Sequence, residues 1–215
     1  EAPPPALSRE LRDALESAAV RLAREVSYVG VGTVEFLLAG SDFFFLEVNP
    51  RLQVEHGITE EITGLDLVQL QLRIARGESI GAVVIKEHGV ALEARVCAED
   101  PDANFLPSPG HIARFDPALG PKVRIDSGVT VGTTVSSDFD SLIAKVIATG
   151  DTREEARARL ACALRDFELV VQGGASNKGY LLELLDAPAF RSGPVDTGWL
   201  ARWNGEREAS RTARD

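Results

Sequence analysis

Leu11, Leu15, Leu22 and Val26 recur on one helical face, with arginines and glutamates opposite. Ser8 stands at an N-cap position, so the spacing predicts a helix from 8 to about 27. Gly30 and Gly32 break that pattern. The runs 33–38 and 43–49 predict two strands of a hairpin, with 39–42 supplying the turn. Residues 59 to about 76 read as helical. The pattern breaks near Gly64, restarts at Asp66 with Leu67, Leu70 and Ile74 on one face, and stops at Gly77. After about residue 86 the pattern changes to short strand-like runs at 89–97, 110–115, 122–126, 128–135 and 141–149. Gly, Pro and Asp punctuate them, which predicts a mostly antiparallel sheet. Thr152 and Glu155 form a capping box that opens a helix to about 167. A strand at 168–172 follows, then a helix capped by Asn177 and running to about 185. A last short helix holds Trp199 and Trp203, and 204–215 reads as a polar, frayed tail. The predicted class is α+β.

The 215 residues allow one large domain or two small ones. Lysines and arginines number 23 against 33 acidic residues, a net charge of −10. That excludes a general attraction for nucleic acid or an anionic membrane. No apolar run reaches the ~20 residues of a membrane span. Cys97 and Cys162 lie outside any zinc-ligand spacing, and two thiols in an ordinary composition suggest a reducing compartment, the cytoplasm. Methionine is absent, even at position 1. A translated chain starts with Met, so this one is expected to be a piece of something longer.

The hairpin carries the first chemistry. A loop of Gly40, Ser41 and Asp42 pairs Ala39 with Phe43 and sets Glu35 opposite Glu47, with Asn49 on the same face. Opposed carboxylates repel, and a divalent cation such as Mg²⁺ or Mn²⁺ would compensate. A register one residue away would separate them. From 47 to 55 the odd positions are Glu47, Asn49, Arg51, Gln53 and Glu55, and the even ones are Val48, Pro50, Leu52 and Val54. An extended segment would therefore have one wholly polar side. The unalternating Phe43 to Leu46 just upstream suggests burial on both faces. A buried strand running into a mixed-charge row is what a site floor looks like: it can ligate a metal, hold an anion with Arg51 and offer Glu55 as a base.

The residues Phe45, Leu46, Glu47, Val48, Asn49, Pro50, Arg51, Leu52, Gln53, Val54, Glu55 and His56, followed by Thr59 and Glu60, resemble the signature of biotin carboxylases. These are ATP-grasp enzymes of the biotin-dependent carboxylases. Further motifs follow in family order: 32–37, 62–68, 71–75, 94–96, 98–101, 105–110, 124–127 and 139–145. The resemblance covers about 1–203. It implies the C-terminal part of an ATP-grasp domain at 1–85, the biotin carboxylase C-terminal domain at 86–203 and a polar tail at 204–215.

The resemblance also implies roles. Glu35 and Glu47, with Asn49, would bind the metal, and Glu35, Leu37 and Glu47 would sit against ATP. Arg51 would bind bicarbonate, with Gln53 and Val54 lining that site. Glu55 would deprotonate bicarbonate, and Arg95 would stabilise the biotin enolate. Bicarbonate would attack the ATP γ-phosphate to give carboxyphosphate, which breaks down to carbon dioxide. Biotin would arrive on a separate carrier domain. The implied partners are the N-terminal half of the biotin carboxylase, the biotin carboxyl carrier, a carboxyltransferase and possible further copies of the chain. Asp140 and Lys145 belong to a family motif, but bracing the sheet or a subunit contact would explain them.

Some features depart from the family. Gly57 stands where it often has Pro, Ala or Thr. The segment 173–180 lacks a frequent Lys-Thr-Asn pattern, and with 195–200 it looks more like long, fused acyl-CoA carboxylases. Acetyl-CoA or another acyl-CoA, and with it fatty acid biosynthesis, is then the implied context. No stretch reads as a phosphate-cradling glycine loop, and the biotinyl-lysine motif is absent. The piece alone is therefore expected to be inactive. Two alternatives remain: an ATP-grasp ligase of the carbamoyl-phosphate synthetase type, and a non-catalytic docking module.

Overall fold

The computed structural model describes residues 1–5, 7–81 and 83–212, without the side chains of 211 and 212. Helix α1 (Arg9–Glu25) opens on Ser8, whose hydroxyl accepts the Leu11 N–H at 3.2 Å. Strands β1 (Thr33–Ala39) and β2 (Asp42–Asn49) form the hairpin. Its loop is two residues long, not three, and Ala39 pairs with Asp42. Gly40 takes the left-handed conformation there, at φ 64°.

Left uncorrected, that tighter turn would place Glu35 opposite Leu46. A bulge between Glu35 and Phe36 restores the predicted pair, Glu35 opposite Glu47. Leu46 is the extra residue. The bulge also explains why 43–46 does not alternate. Phe43 and Phe45 stay with Phe36 on one face, whereas Phe44 joins Leu37, Glu35 and Glu47 on the other. Among the described residues Phe44, Phe45 and Leu46 are 57–60% exposed, against the expected burial on both faces. The sheet has two strands among the described residues, and α1 meets it at a cleft of Ala18, Leu22, Phe36, Phe43 and Phe45.

Helices α2 (His56–Thr63) and α3 (Leu67–Ala75) flank Gly64, which ends α2 at φ 70°. Asp66 caps α3 by accepting the Gln69 N–H at 2.7 Å. Helix α2 begins three residues earlier than predicted, with Glu55 at its N-cap position.

The remaining strands are β3 (Val90–Cys97), β4 (Glu99–Asp100), β5 (Leu106–Pro107), β6 (Gly110–Asp116), β7 (Val123–Ser127), β8 (Thr134–Val135), β9 (Leu142–Gly150) and β10 (Glu168–Gln172). They pair antiparallel in the orders β3-β9-β7, β10-β6-β8 and β4-β5. The run 128–135 was expected to be a strand, but only its last two residues are. Thr130 and Thr133 close a turn around Gly132 instead.

Helix α4 (Arg153–Asp166) starts at the predicted capping box: Thr152 accepts the Glu155 N–H at 3.2 Å, and Glu155 reaches back to the Asp151 N–H at 2.9 Å. Helices α5 (Lys178–Asp186), α6 (Pro188–Ser192) and α7 (Trp199–Thr212) complete the chain. The expected frayed tail is therefore helical through Thr212. Asn204 accepts the Tyr180 hydroxyl at 2.9 Å, and Arg207 bonds Glu183 at 2.5 Å, which anchors the extra turns.

The core lies in the second half. Leu92, Ala94 and Val96 of β3, with Ile143 and Val146 of β9, pack on Leu160, Leu164 and Phe167. Helix α1 buries no residue. The halves meet where α2 lies against β3 and β9.

Candidate active site

Every predicted site residue except Arg95 lies on the hairpin or in the segment that joins it to α2. On the hairpin face, Glu35 and Glu47 converge on one atom, the Asn49 side-chain nitrogen. It donates to Glu35 at 2.7 Å and to Glu47 at 3.2 Å. Gln53 donates to the same Glu35 oxygen at 3.0 Å. An electropositive amide thus holds the point between two carboxylates. Those donors fit a hard divalent cation with oxygen ligands, and Asn49 could present its own oxygen after an amide flip. Leu37 is exposed on this face beside Phe44.

The polar row is not one extended segment. Strand β2 ends at Asn49, the Arg51 N–H turns back to the Asn49 carbonyl at 2.9 Å, and 54–55 lie in a turn. Convergence comes from that bend rather than from alternation. Arg51 is exposed and bonds the Leu52 carbonyl at 3.2 Å. Among the described residues it has no carboxylate partner, so its planar fork can take an anion. Val54 is exposed beside it.

Arg95 comes from β3, some forty residues on, and its guanidinium donates to Glu55 in a salt bridge. The expected base and the expected enolate-stabilising cation are therefore in contact. Lys145, opposite Arg95 on β9, is buried and donates to the Val54 carbonyl at 3.0 Å, with Asp126 at 3.1 Å. Its ammonium fastens the main chain of the site segment, a more specific task than bracing a sheet. Asp140 accepts the Leu142 N–H at 2.8 Å and so serves a local turn.

Arg124 completes the fastening: it bonds both oxygens of Asp126 and donates to Glu60 of α2 at 2.8 Å. Burial pushes the Asp126 carboxyl up, but the hydrogen bonds from Arg124 and Lys145 outweigh it and hold it below the ordinary carboxylate range. His56 Nδ1 lies 2.8 Å from the Gln53 carbonyl, a local contact.

Two residues were missed in the sequence. Glu93 lies beneath α2 on the same face of β3 as Arg95. Its spacing of two from Arg95, between the inward Leu92 and Ala94, could have found it. Asn177 was expected to cap α5 but makes no side-chain cap bond. It accepts the Cys97 N–H at 2.9 Å and donates to the Arg95 carbonyl at 3.1 Å. No local sequence signal points that side chain at β3.

A hairpin of paired carboxylates, followed by Arg51 and the Glu55–Arg95 salt bridge, is the arrangement expected of an ATP-grasp ligase site. Comparison with known proteins agrees. The biotin carboxylase C-terminal domain family matches residues 93–202, and the carbamoyl-phosphate synthase L chain ATP-binding domain matches 1–83. The chain belongs to the biotin carboxylase family. It is 44% identical over 213 residues to a biotin-dependent acyl-coenzyme A carboxylase alpha3 subunit of Mycobacterium leprae, covering 95% of this chain and 35% of that protein. It is 44% identical to the mitochondrial methylcrotonoyl-CoA carboxylase subunit alpha of Mus musculus, covering 93% of this chain and 28% of the relative. Among solved structures, the biotin carboxylase domain of Hydrogenobacter thermophilus 2-oxoglutarate carboxylase, a dimer with MgADP, ADP and bicarbonate, superposes with a TM-score of 0.89 at 35% identity. That match covers 94% of this chain and 45% of the neighbour. The chain thus spans less than half of each.

Proposed function

We propose that this chain is the C-terminal part of a biotin carboxylase that carboxylates biotin with ATP and bicarbonate. The observation that carries the reading is the Glu55–Arg95 contact, made across two sequence segments, with Arg51 four residues before Glu55 and without a carboxylate partner among the described residues. In this reading Arg51 holds bicarbonate beside Gln53 and Val54, and Glu55 takes its proton. The bicarbonate oxygen then attacks the γ-phosphate of ATP, giving carboxyphosphate and ADP. Arg95 faces the negative charge that develops on biotin as its N1 proton leaves, and such stabilisation is usually the largest catalytic contribution. Glu35, Glu47 and Asn49 would hold Mg²⁺ or Mn²⁺, which neutralises phosphate charge when bound. Leu37, with Glu35 and Glu47, would lie against the nucleotide.

Apart from Arg95, the site belongs to residues 1–85, and Arg95 and the supporting sheets belong to 86–203, the division we assign to the two units. Carrier and carboxyltransferase would supply biotin and consume carboxybiotin, and the missing partner is the rest of the ATP-grasp domain. An acyl-CoA is the favoured final acceptor, from the likeness of 173–180 and 195–200 to fused acyl-CoA carboxylases. Two free thiols fit a reducing compartment such as the cytoplasm. No helix among the described residues is long and apolar enough to cross a membrane.

The test is Glu55→Gln and Arg95→Ala in the biotin carboxylase that carries this chain. Each is expected to lower biotin carboxylation about 10²–10³-fold, the range for losing a base or a charge-stabilising donor. Near-normal turnover in both would refute the assignment. The 215-residue chain alone is expected to show negligible bicarbonate-dependent ATPase. The match of 1–83 to a carbamoyl-phosphate synthase domain favours one rival. Ammonia-dependent carbamoyl phosphate formation without biotin carboxylation would establish it.

A further inference from the structure

Glu93 is a buried acidic side chain that the mechanism leaves unused. Its side chain is 5% exposed, and neither carboxylate oxygen accepts a hydrogen bond among the described residues. A buried carboxylate without hydrogen bonds is costly, so its presence calls for an explanation. Glutamine has the same shape and would avoid the charge.

The surroundings supply that explanation. Glu93 Oε1 lies 3.7 Å from Arg95 Nε, on the inner side of the guanidinium, and Glu55 holds the outer side. Lys145 faces Glu93 from β9, and Glu55 and His56 face it from the segment that enters α2. Gly57 closes the roof: a Cβ there would stand 3.6 Å from Glu93 Oε2 and 2.4 Å from Ile147 Cδ1. Arg124, on the far side of Gly57, is committed to Asp126 and Glu60. One guanidinium thus lies between two carboxylates, one open to solvent and one sealed under a helix.

We propose that Glu93 is a positioning residue for Arg95, the inner carboxylate that keeps the guanidinium in place when Glu55 loses its charge to the bicarbonate proton. Without it, protonation of Glu55 would free Arg95 at the moment its charge is needed. Burial pushes the Glu93 carboxyl up, while Lys145 and Arg95 pull it down and Glu55 pushes it further up. The two carboxylates therefore compete for one cation. This inference rests on the proposed roles of Glu55 and Arg95, and its test separates the two.

The variant is Glu93→Gln. In this chain it is expected to raise the urea midpoint at pH 7, because a buried charge is removed. In the enzyme it is expected to lower kcat about tenfold, the scale on which a slight misplacement of a catalytic group acts. KM for ATP should stay unchanged, and Glu93→Asp should recover most of the loss. The acid limb of the pH profile should move to lower pH, since a like charge beside the base is gone. A merely structural glutamate would not combine higher stability with lower kcat and a moved profile. Carbon-13 titration of the Glu93 carboxyl in this chain gives an independent reading: Glu55→Gln should lower its midpoint and Arg95→Gln raise it. Wild-type kcat and pH profile in Glu93→Gln would overturn the inference, as would a Glu93 signal indifferent to both neighbours. A wild-type enzyme without biotin carboxylation would instead sink the proposed function, and the titration would then decide this inference alone.

Discussion

Replacing Asn177 with alanine strips two hydrogen bonds from the outer edge of β3. That strand lies at the end of the order β3-β9-β7, so the residues facing away from β9 need partners elsewhere. Ala2 covers the edge at Ala91, and Asn177 covers it from Arg95 to Cys97. The Asn177 main-chain N–H adds a third bond, to the Cys97 carbonyl at 3.1 Å, which alanine keeps. The substitution therefore orphans the Cys97 N–H and leaves the Arg95 carbonyl with only the weak Cys97 thiol at 3.8 Å, where the lost side chain was buried. At about 1–3 kcal/mol per group, the expected loss is about 2–6 kcal/mol. In a chain of this size each kcal/mol lowers Tm by about 2–4 °C. Urea unfolding followed by circular dichroism should show a lower midpoint at unchanged slope. Asn177→Asp is the control: it retains the acceptor for Cys97 but turns a carboxylate oxygen toward the Arg95 carbonyl, so it should also destabilise. A loss under about 0.5 kcal/mol for the alanine variant would refute the reasoning, because solvent would then be satisfying that edge equally well.

Two further outcomes follow from the charges and thiols. Asp126 has its folded-state carboxyl held below the ordinary range, so its contribution is present above the unfolded value of about 3.9 and is lost as pH falls through the folded one. Asp126→Asn should be less stable at pH 7 and show a flatter decline in urea midpoint below about pH 5; parallel wild-type and variant curves would contradict this. The Cys97 thiol is pushed up to about 11, chiefly by burial and then by the charge of Glu99, while Cys162 is exposed. An aromatic disulfide reagent at pH 8 should label Cys162 promptly and Cys97 at least about a hundredfold more slowly, since only the thiolate reacts; equal rates would contradict the burial argument.

Much of the fold was legible because local signals agreed with tertiary packing. Ser8, Asp66 and Thr152 cap helices where their spacing said they would. The facing of Glu35 and Glu47 was legible too, although by a different route. Two departures from the expected hairpin, a shorter turn and a bulge, cancel over that pair. A bulge has no residue signature of its own here, so nothing in the run from Phe43 to Leu46 announced the change of phase. The polar row was read as a strand because period two and a bent loop can place the same residues on one side. Asn177 was illegible for another reason: its partners lie across the fold, and a single sequence does not reveal which distant strand a side chain meets.

That last point explains how the site is held. The segment 50–55 has no helix or strand of its own, yet it carries Arg51 and Glu55, the proposed anion-binding arginine and base. Its rigidity has to be supplied from outside, since ordering each loop residue costs about 1–2 kcal/mol of backbone entropy. The hairpin supplies one anchor, with Gln53 reaching back to Glu35. The C-terminal sheets supply the others: Lys145 on the Val54 carbonyl, Arg95 on Glu55 and, one helical turn on, Arg124 on Glu60. These cations come from three different strands, β9, β3 and β7, of one three-stranded sheet. A sheet spaces its side chains at fixed intervals, so three cations on it fix both the height and the direction of a loop that could not fix itself. In the proposed reading, the sheet of β3, β9 and β7 would therefore act as the template against which Glu55 is aimed, a contribution beyond placing Arg95 in the site.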